Sequence, residues 1–409
     1  MLRRLTGFTV LPLLALVTPF LLLPVVARVA GAQGWSSFVA GQAVGTIGAT
    51  VVFWGWNVGG PVLVARADGP AARAEVYAGS LRTRLALLLV VLPVAVGVSA
   101  LVATTGHRLD AAAMGFATCL LGLSPSWYGI GVGRATLLFW YDTLPRVVAA
   151  VIAAILVWVT GHVWVYPALL TVGVVVSLIA FHRKEIRVAG VDAPAWRPWP
   201  FTRAVGELRE QVGTAGINLA ATAYASTPVP IVTATLRADI SSRFASADAA
   251  YRLGLFTVTA MGNAFQGWTL EPDASDHARR HRSAVVAHVG LGVVGGLVFA
   301  ALGPWATGLL FGQAVAAPRD VCVYYGLSFL FLSASSPFIR NLLIPAGRER
   351  LVLGWTLASG VLGLALMGGA AVSGWSAGVA MGMAVSEALL FVGLLVPALR
   401  LVSPPRTLT

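Results

Sequence analysis

The chain reads as long apolar runs parted by short polar breaks. Residues 5–27, 85–106 and 111–133 carry no charge, and each is long enough for one helix across a bilayer, which takes about 20 residues. Residues 29–65 are too many for one crossing, and Gly31-Ala32-Gln33-Gly34-Trp35 predicts a turn ahead of a second helix. The run 147–182 breaks at Thr160-Gly161-His162 and the run 351–386 at Ser373-Gly374-Trp375, so each predicts a tight pair of helices. Residues 211–236, 253–270, a span within 283–318 and 321–339 complete an expected set of twelve. Arg3-Arg4 and the apolar run behind them resemble a signal peptide. That run exceeds the roughly 7–15 residues of a signal core, and eleven further runs follow, so it is read as the first span.

Composition agrees with this pattern. Of 409 residues, 57% are hydrophobic and only 11% charged, and mean hydropathy is +0.82. Soluble domains carry about 25% charge, so the polar side chains here are too few to cover a soluble globule. A formal net charge of +12 on its own would suggest a nucleic-acid partner. Its distribution argues otherwise. With the N-terminus placed in the cytoplasm, all but six of the 28 basic residues fall on internal connections or at the two termini. The exceptions are Arg28, Arg108, Arg237, Arg243, Arg252 and Arg319. This is the positive-inside bias of a multi-pass protein with both termini cytoplasmic, and no nucleic-acid partner is expected. Cys119 and Cys322 lie in apolar runs without metal-ligand spacing and read as small core residues.

The longest internal connection, 183–203, carries Pro194-Ala-Trp196-Arg-Pro198-Trp199-Pro200 and reads as a cytoplasmic linker. It divides the chain into a six-helix bundle over 1–182 and another over 204–409. The halves echo one another. Pro24 precedes Ser36-Ser37 and Phe38 as Pro230 precedes Ser241-Ser242 and Phe244. Ser124-Pro125, Gly133-Arg134 and Trp140 likewise match Ser336-Pro337, Gly347-Arg348 and Trp355. Six spans per repeat leave both halves in one orientation, related by a pseudo-two-fold along the membrane normal, with a substrate cavity between two rocking bundles. The expected fold class is therefore all-α integral membrane.

No nucleotide-binding loop, metal-ligand pair or Ser/His/Asp arrangement stands out, and no cofactor or metal is expected. A polyprenyl-sugar glycosyltransferase is the enzyme alternative. It usually needs acids in the first outer loop, and Arg28-Val-Ala-Gly-Ala-Gln-Gly-Trp35 has none. Charges near the bilayer are costly and default to candidates. Arg28 and Arg252, at the outer ends of the lead hairpins, would offer forked donors to a phosphate or pyrophosphate, unless they snorkel to lipid headgroups. Arg237 is a weaker candidate beside Asp239 in an outer loop. Asn57 and Asn218 are polar helix positions that either line a path or join helices. Glu387, deep in an apolar helix, is either a coupling carboxyl or a structural one.

Leu-Pro24-Val-Val-Ala-Arg28-Val-Ala-Gly31-Ala-Gln-Gly34-Trp35 resembles the first-helix motif of Wzx-type polysaccharide (O-antigen) flippases of the multidrug/oligosaccharidyl-lipid/polysaccharide (MOP, MATE-like) superfamily. Ser126-Trp127-Tyr128 through Gly133-Arg134 to Asp142-Thr-Leu-Pro145-Arg146 is similar to that family's fourth-to-fifth connection, and Arg340-Asn341 through Pro345 to Gly347-Arg348 to its tenth-to-eleventh. The resemblance implies a bacterial inner-membrane flippase that moves an undecaprenyl-pyrophosphate-linked oligosaccharide outward for surface polysaccharide or lipopolysaccharide synthesis. It also implies a polysaccharide polymerase and glycosyltransferases as partners. Cationic cavity residues hold the pyrophosphate in that family, and Arg28 and Arg252 are the positions carried over. The alternative in the same superfamily is a drug/cation antiporter, whose usual carboxylates in the first-half helices are absent here.

Overall fold

The computed structural model describes residues 2–186, 206, 208, 209, 211–269 and 276–402. Residues 187–203 of the expected linker, with Trp196 and Trp199, lie outside the described residues. Every regular element among those described is helical. Two compact units are formed, Met1–Ala234 and Thr235–Thr409.

The first unit contains α1 (Leu2–Phe53), α2 (Trp56–Arg66), α3 (Gly69–Val102), α4 (Arg108–Leu120), α5 (Ser126–Val132) and α6 (Ala135–Leu138). It continues with α7 (Leu144–Thr160), α8 (Val165–Phe181), α9 (Val212–Ser226) and α10 (Pro228–Thr235) at the boundary. The second unit contains α11 (Ala238–Thr269), α12 (His277–Phe311), α13 (Arg319–Pro337), α14 (Glu349–Val372) and α15 (Ser376–Val402).

Among the described residues, eight helices are long and apolar enough to cross a membrane. They are Leu22–Arg66, Gly69–Val102, Ala135–Thr160, Val165–Ile186, His277–Phe311, Arg319–Leu343, Glu349–Val372 and Ser376–Leu401. The other expected runs are built differently. Residues 111–133 form α4, a 3-10 turn at Leu121–Leu123, and α5. Residues 211–236 form α9 and α10, joined at Thr227. The turn expected at 31–35 is a single residue, Gly31 at φ 65°, with helix on both sides. A side chain at such a φ is strained, so glycine sets the place of the break. Residues 253–269 of the expected run 253–270 lie in α11, which begins fifteen residues before that run, at Ala238, so Arg243 and Arg252 are helical residues.

In each unit two helices approach closely over small residues, as expected where lipid removes the hydrophobic drive and packing must hold helices together. A Cβ on Gly41 of α1 would stand 2.3 Å from the Ala111 carbonyl of α4, and one on Gly45 2.6 Å from that of Gly115. Gly48 of α1 faces the Cys119 sulfur. In the second unit Gly296 of α12 meets the Gly326 carbonyl of α13, and Gly303 faces Cys322. Both cysteines are buried free thiols filling the space their glycine partners leave. Outward faces stay apolar: Leu89, Val90 and Val94 of α3, and Val294, Leu297 and Val298 of α12, are exposed.

The sequence echoes become local geometry. Gly133 and Gly347 have φ 73° and 71°. Gly133 N–H donates to Ile130 and Arg134 N–H to Gly129. Gly347 N–H donates to Ile344 and Arg348 N–H to Leu343. These are two Schellman closures, each turning its chain with a Gly-Arg pair. Ser36 and Ser37 return their hydroxyls to the preceding turn, as Ser241 and Ser242 do, and all four are fully buried.

Candidate functional site

Each expected site residue is described within its own unit. In the first, α1 ends in two consecutive left-handed residues, Trp54 (φ 43°) and Gly55 (φ 82°). The Trp54 indole N–H is anchored 2.9 Å from the Leu208 carbonyl. This break aims Asn57, on the first turn of α2, towards α9. There the Asn218 amide donates to the Asn57 side-chain oxygen at 3.4 Å. Asn57 is exposed and Asn218 half-buried, so the pair is both an interhelical bond and an accessible polar patch. Arg28 is exposed on α1, three residues before the Gly31 break. One of its guanidinium nitrogens lies 3.3 Å from the Pro24 carbonyl.

In the second unit Arg252 does not stand as a bare cation. Its Nε lies 2.6 Å from Asp248 Oδ2 and its Nη2 3.4 Å from Asp248 Oδ1, one helical turn back on α11. Asp248 is buried, and Oδ1 also accepts the Tyr325 hydroxyl of α13 at 3.0 Å. Tyr251 packs on Tyr325 with ring centroids 4.9 Å apart. Carboxylate and phenol together fix the guanidinium plane while about a third of the side chain stays exposed. A bound phosphate would meet a pre-oriented arginine whose charge is already partly neutralised. Arg237 pairs with Asp239 at 3.2 Å, both well exposed, and is a solvated surface pair. Glu387 is buried on α15 beside Ser386, whose hydroxyl donates to the Ser359 carbonyl at 2.7 Å.

Sequence reasoning missed Arg84. It reads as a connection residue because it lies just ahead of the run 85–106. In the structure it sits in the middle of α3, fully buried. Its Nη1 donates to the Gly122 carbonyl at 3.2 Å and the Ser124 carbonyl at 2.9 Å, and its Nε to Ser80 at 3.3 Å. Gly122 and Ser124 lie at the 3-10 break between α4 and α5, where helical carbonyls lose their partners. The guanidinium carbon stands 5.6 Å from the Trp127 ring centroid and 5.9 Å from that of Phe53. Ser124 extends the network. Its hydroxyl donates to Asp142 at 2.6 Å, and Asp142 also accepts from Arg146 at 2.5 Å. The motif residues of this connection therefore hold a helix break in place. The available sequence signal was Arg84 lying seven residues from Tyr77, on one helix face beside an aromatic cluster.

Among the described residues no group of three or more His, Cys, Asp or Glu side chains is placed to hold a metal ion.

No protein-family model matches the sequence, and no curated protein does. Solved structures do match. The lipid II flippase MurJ in an inward closed conformation superposes with a TM-score of 0.73 at 10% identity, covering 97% of this chain and 87% of that one. A MATE transporter in complex with MaL6 gives 0.55 at 14% identity, over 95% of this chain and 96% of that one. The eukaryotic MATE transporter AtDTX14 gives 0.51 at 14% identity, over 97% and 95%. The fold is that of MurJ and the MATE transporters.

Proposed function

We propose that this chain is an inner-membrane flippase moving an undecaprenyl-pyrophosphate-linked oligosaccharide from the cytoplasmic to the outer leaflet by alternating access. It crosses the membrane twelve times in two six-helix bundles, with both termini cytoplasmic. The observation that carries the reading is the likeness to a lipid II flippase over nearly the whole chain, with a TM-score of 0.73 against 0.55 and 0.51 for the two MATE transporters above. The ionic inventory supports it. Basic residues outnumber acidic ones 28 to 16, and all but Lys184 are arginines, whose forked donors suit a pyrophosphate.

In this reading Arg28 and Arg252 hold the pyrophosphate, with Asp248 and Tyr325 orienting Arg252. Asn57 and Asn218 offer hydrogen bonds to sugar hydroxyls, Arg237 receives the headgroup at the outer rim, and Glu387 is the coupling carboxyl. The test is translocation of a fluorescent polyprenyl-pyrophosphate oligosaccharide in proteoliposomes, read by quencher access. Wild-type protein should flip it, and the Arg28→Gln/Arg252→Gln double variant should not, at equal insertion. Normal translocation by the double variant overturns the site. Cation-driven drug uptake by wild type without lipid translocation overturns the function in favour of the antiporter.

A further inference from the structure

A groove of about 720 Å³ opens between α7 and α8 in the first unit. It exists because the facing helices present little there. Gly173 of α8 lies against Pro145 of α7, and the small Ala149 and Ala180 also line the slot. Its rims are Val148 and Ile152 on one side and Val172 and Val176 on the other, all exposed apolar side chains. From Trp140 to Ile152 the groove runs twelve residues, about 18 Å of helix. One leaflet of hydrocarbon is about 15 Å deep. The slot is thus the length of one acyl chain, from headgroup level towards the bilayer centre.

Its two ends differ. One is wholly apolar. The other carries Trp140, half-exposed, and Lys184, the sole lysine of the sequence. The neighbouring acids are committed elsewhere: Glu185 to Arg134 at 3.2 Å and to the Tyr141 hydroxyl at 3.5 Å, and Asp142 to Arg146. Lys184 is exposed, lines the mouth and has no ion pair among the described residues. An ammonium and an indole at the polar end of an interhelical slot match an anionic headgroup above a buried chain.

We propose that the α7–α8 groove binds one anionic phospholipid of the leaflet on the Lys184 side, its acyl chain in the slot and its phosphate on the Lys184 ammonium. A zwitterionic lipid fits the slot equally well but brings its own cation to that mouth, so the selectivity resides in Lys184. The site is separate from the arginines assigned to the transported substrate and stands whether or not the flippase reading does.

The test is native mass spectrometry of the full chain released from nanodiscs of phosphatidylcholine containing a minor share of phosphatidylglycerol. Wild type should retain one phosphatidylglycerol in clear excess over its share. Lys184→Gln should lower that preference about fivefold, and Lys184→Arg should restore it. Val176→Trp fills the groove from an exposed rim position, with no demand on the core, and should remove retention of either lipid. Retention in proportion to the bilayer composition, unchanged selectivity in Lys184→Gln, or full retention by Val176→Trp would each overturn the proposal.

Discussion

Replacing Arg84 with Met keeps a long, apolar, helix-compatible side chain in α3 and removes the donors serving the α4–α5 break. Two carbonyls, Gly122 and Ser124, lose a partner that reaches them from another helix. A buried acceptor left unpaired costs about 1–3 kcal/mol, so the pair sums to roughly 2–6 kcal/mol. Removing a buried charge returns part of that, because the guanidinium no longer needs desolvating. A net local loss of about 3 kcal/mol follows, equal to roughly a hundredfold in an opening equilibrium. Hydrogen exchange read by mass spectrometry on peptides covering 119–128 should therefore speed up about a hundredfold in Arg84→Met. Peptides from 244–256, in the other unit, should not change. Arg84→Lys keeps the charge but presents a point donor rather than a fork, so it should fall between the two. Exchange over 119–128 equal to wild type in Arg84→Met would refute the reasoning, as would a Lys variant no better protected than the Met variant.

Three further outcomes are expected. Asp248→Asn and Arg252→Gln should couple in a double-variant cycle of thermal stability by at least about 1 kcal/mol, because they share one ion pair; strict additivity would dissolve the pair. Gly133→Ala and Gly347→Ala should each cost about 1 kcal/mol through their left-handed φ, while Gly97→Ala, helical with open space at its Cβ, should be neutral or stabilising. Gly41→Val drives a branched side chain into the Ala111 backbone and should lower the thermal midpoint of detergent-solubilised protein well beyond Gly97→Val; equal shifts would deny the close α1–α4 contact.

How much of this molecule can be read along the chain depends on the range of the forces involved. Apolar runs, glycine breaks and arginine placement are local: a run of about 20 uncharged residues suits a crossing helix whatever its neighbours do. A Gly-Arg turn closes within six residues. The helix pairs around Gly161 and Gly374 and the twin Gly133 and Gly347 closures were therefore legible in advance. The lengths of α11 and α3 were not. Their polar first halves read as loops, and only packing against other helices makes helix the better state for Ser241, Asp248 and Arg84.

The sequence by itself determined a multi-pass helical membrane protein, its apolar runs and its bias of positive charge. Tertiary structure decided what those charges do. Arg252 meets a phenol from Tyr325, 73 residues away, through Asp248, and Arg84 caps carbonyls 38 and 40 residues ahead. A charge buried among apolar residues persists only where partners converge on it, and such partners arrive from distant helices. Their identity is a property of the folded packing, which no local pattern encodes.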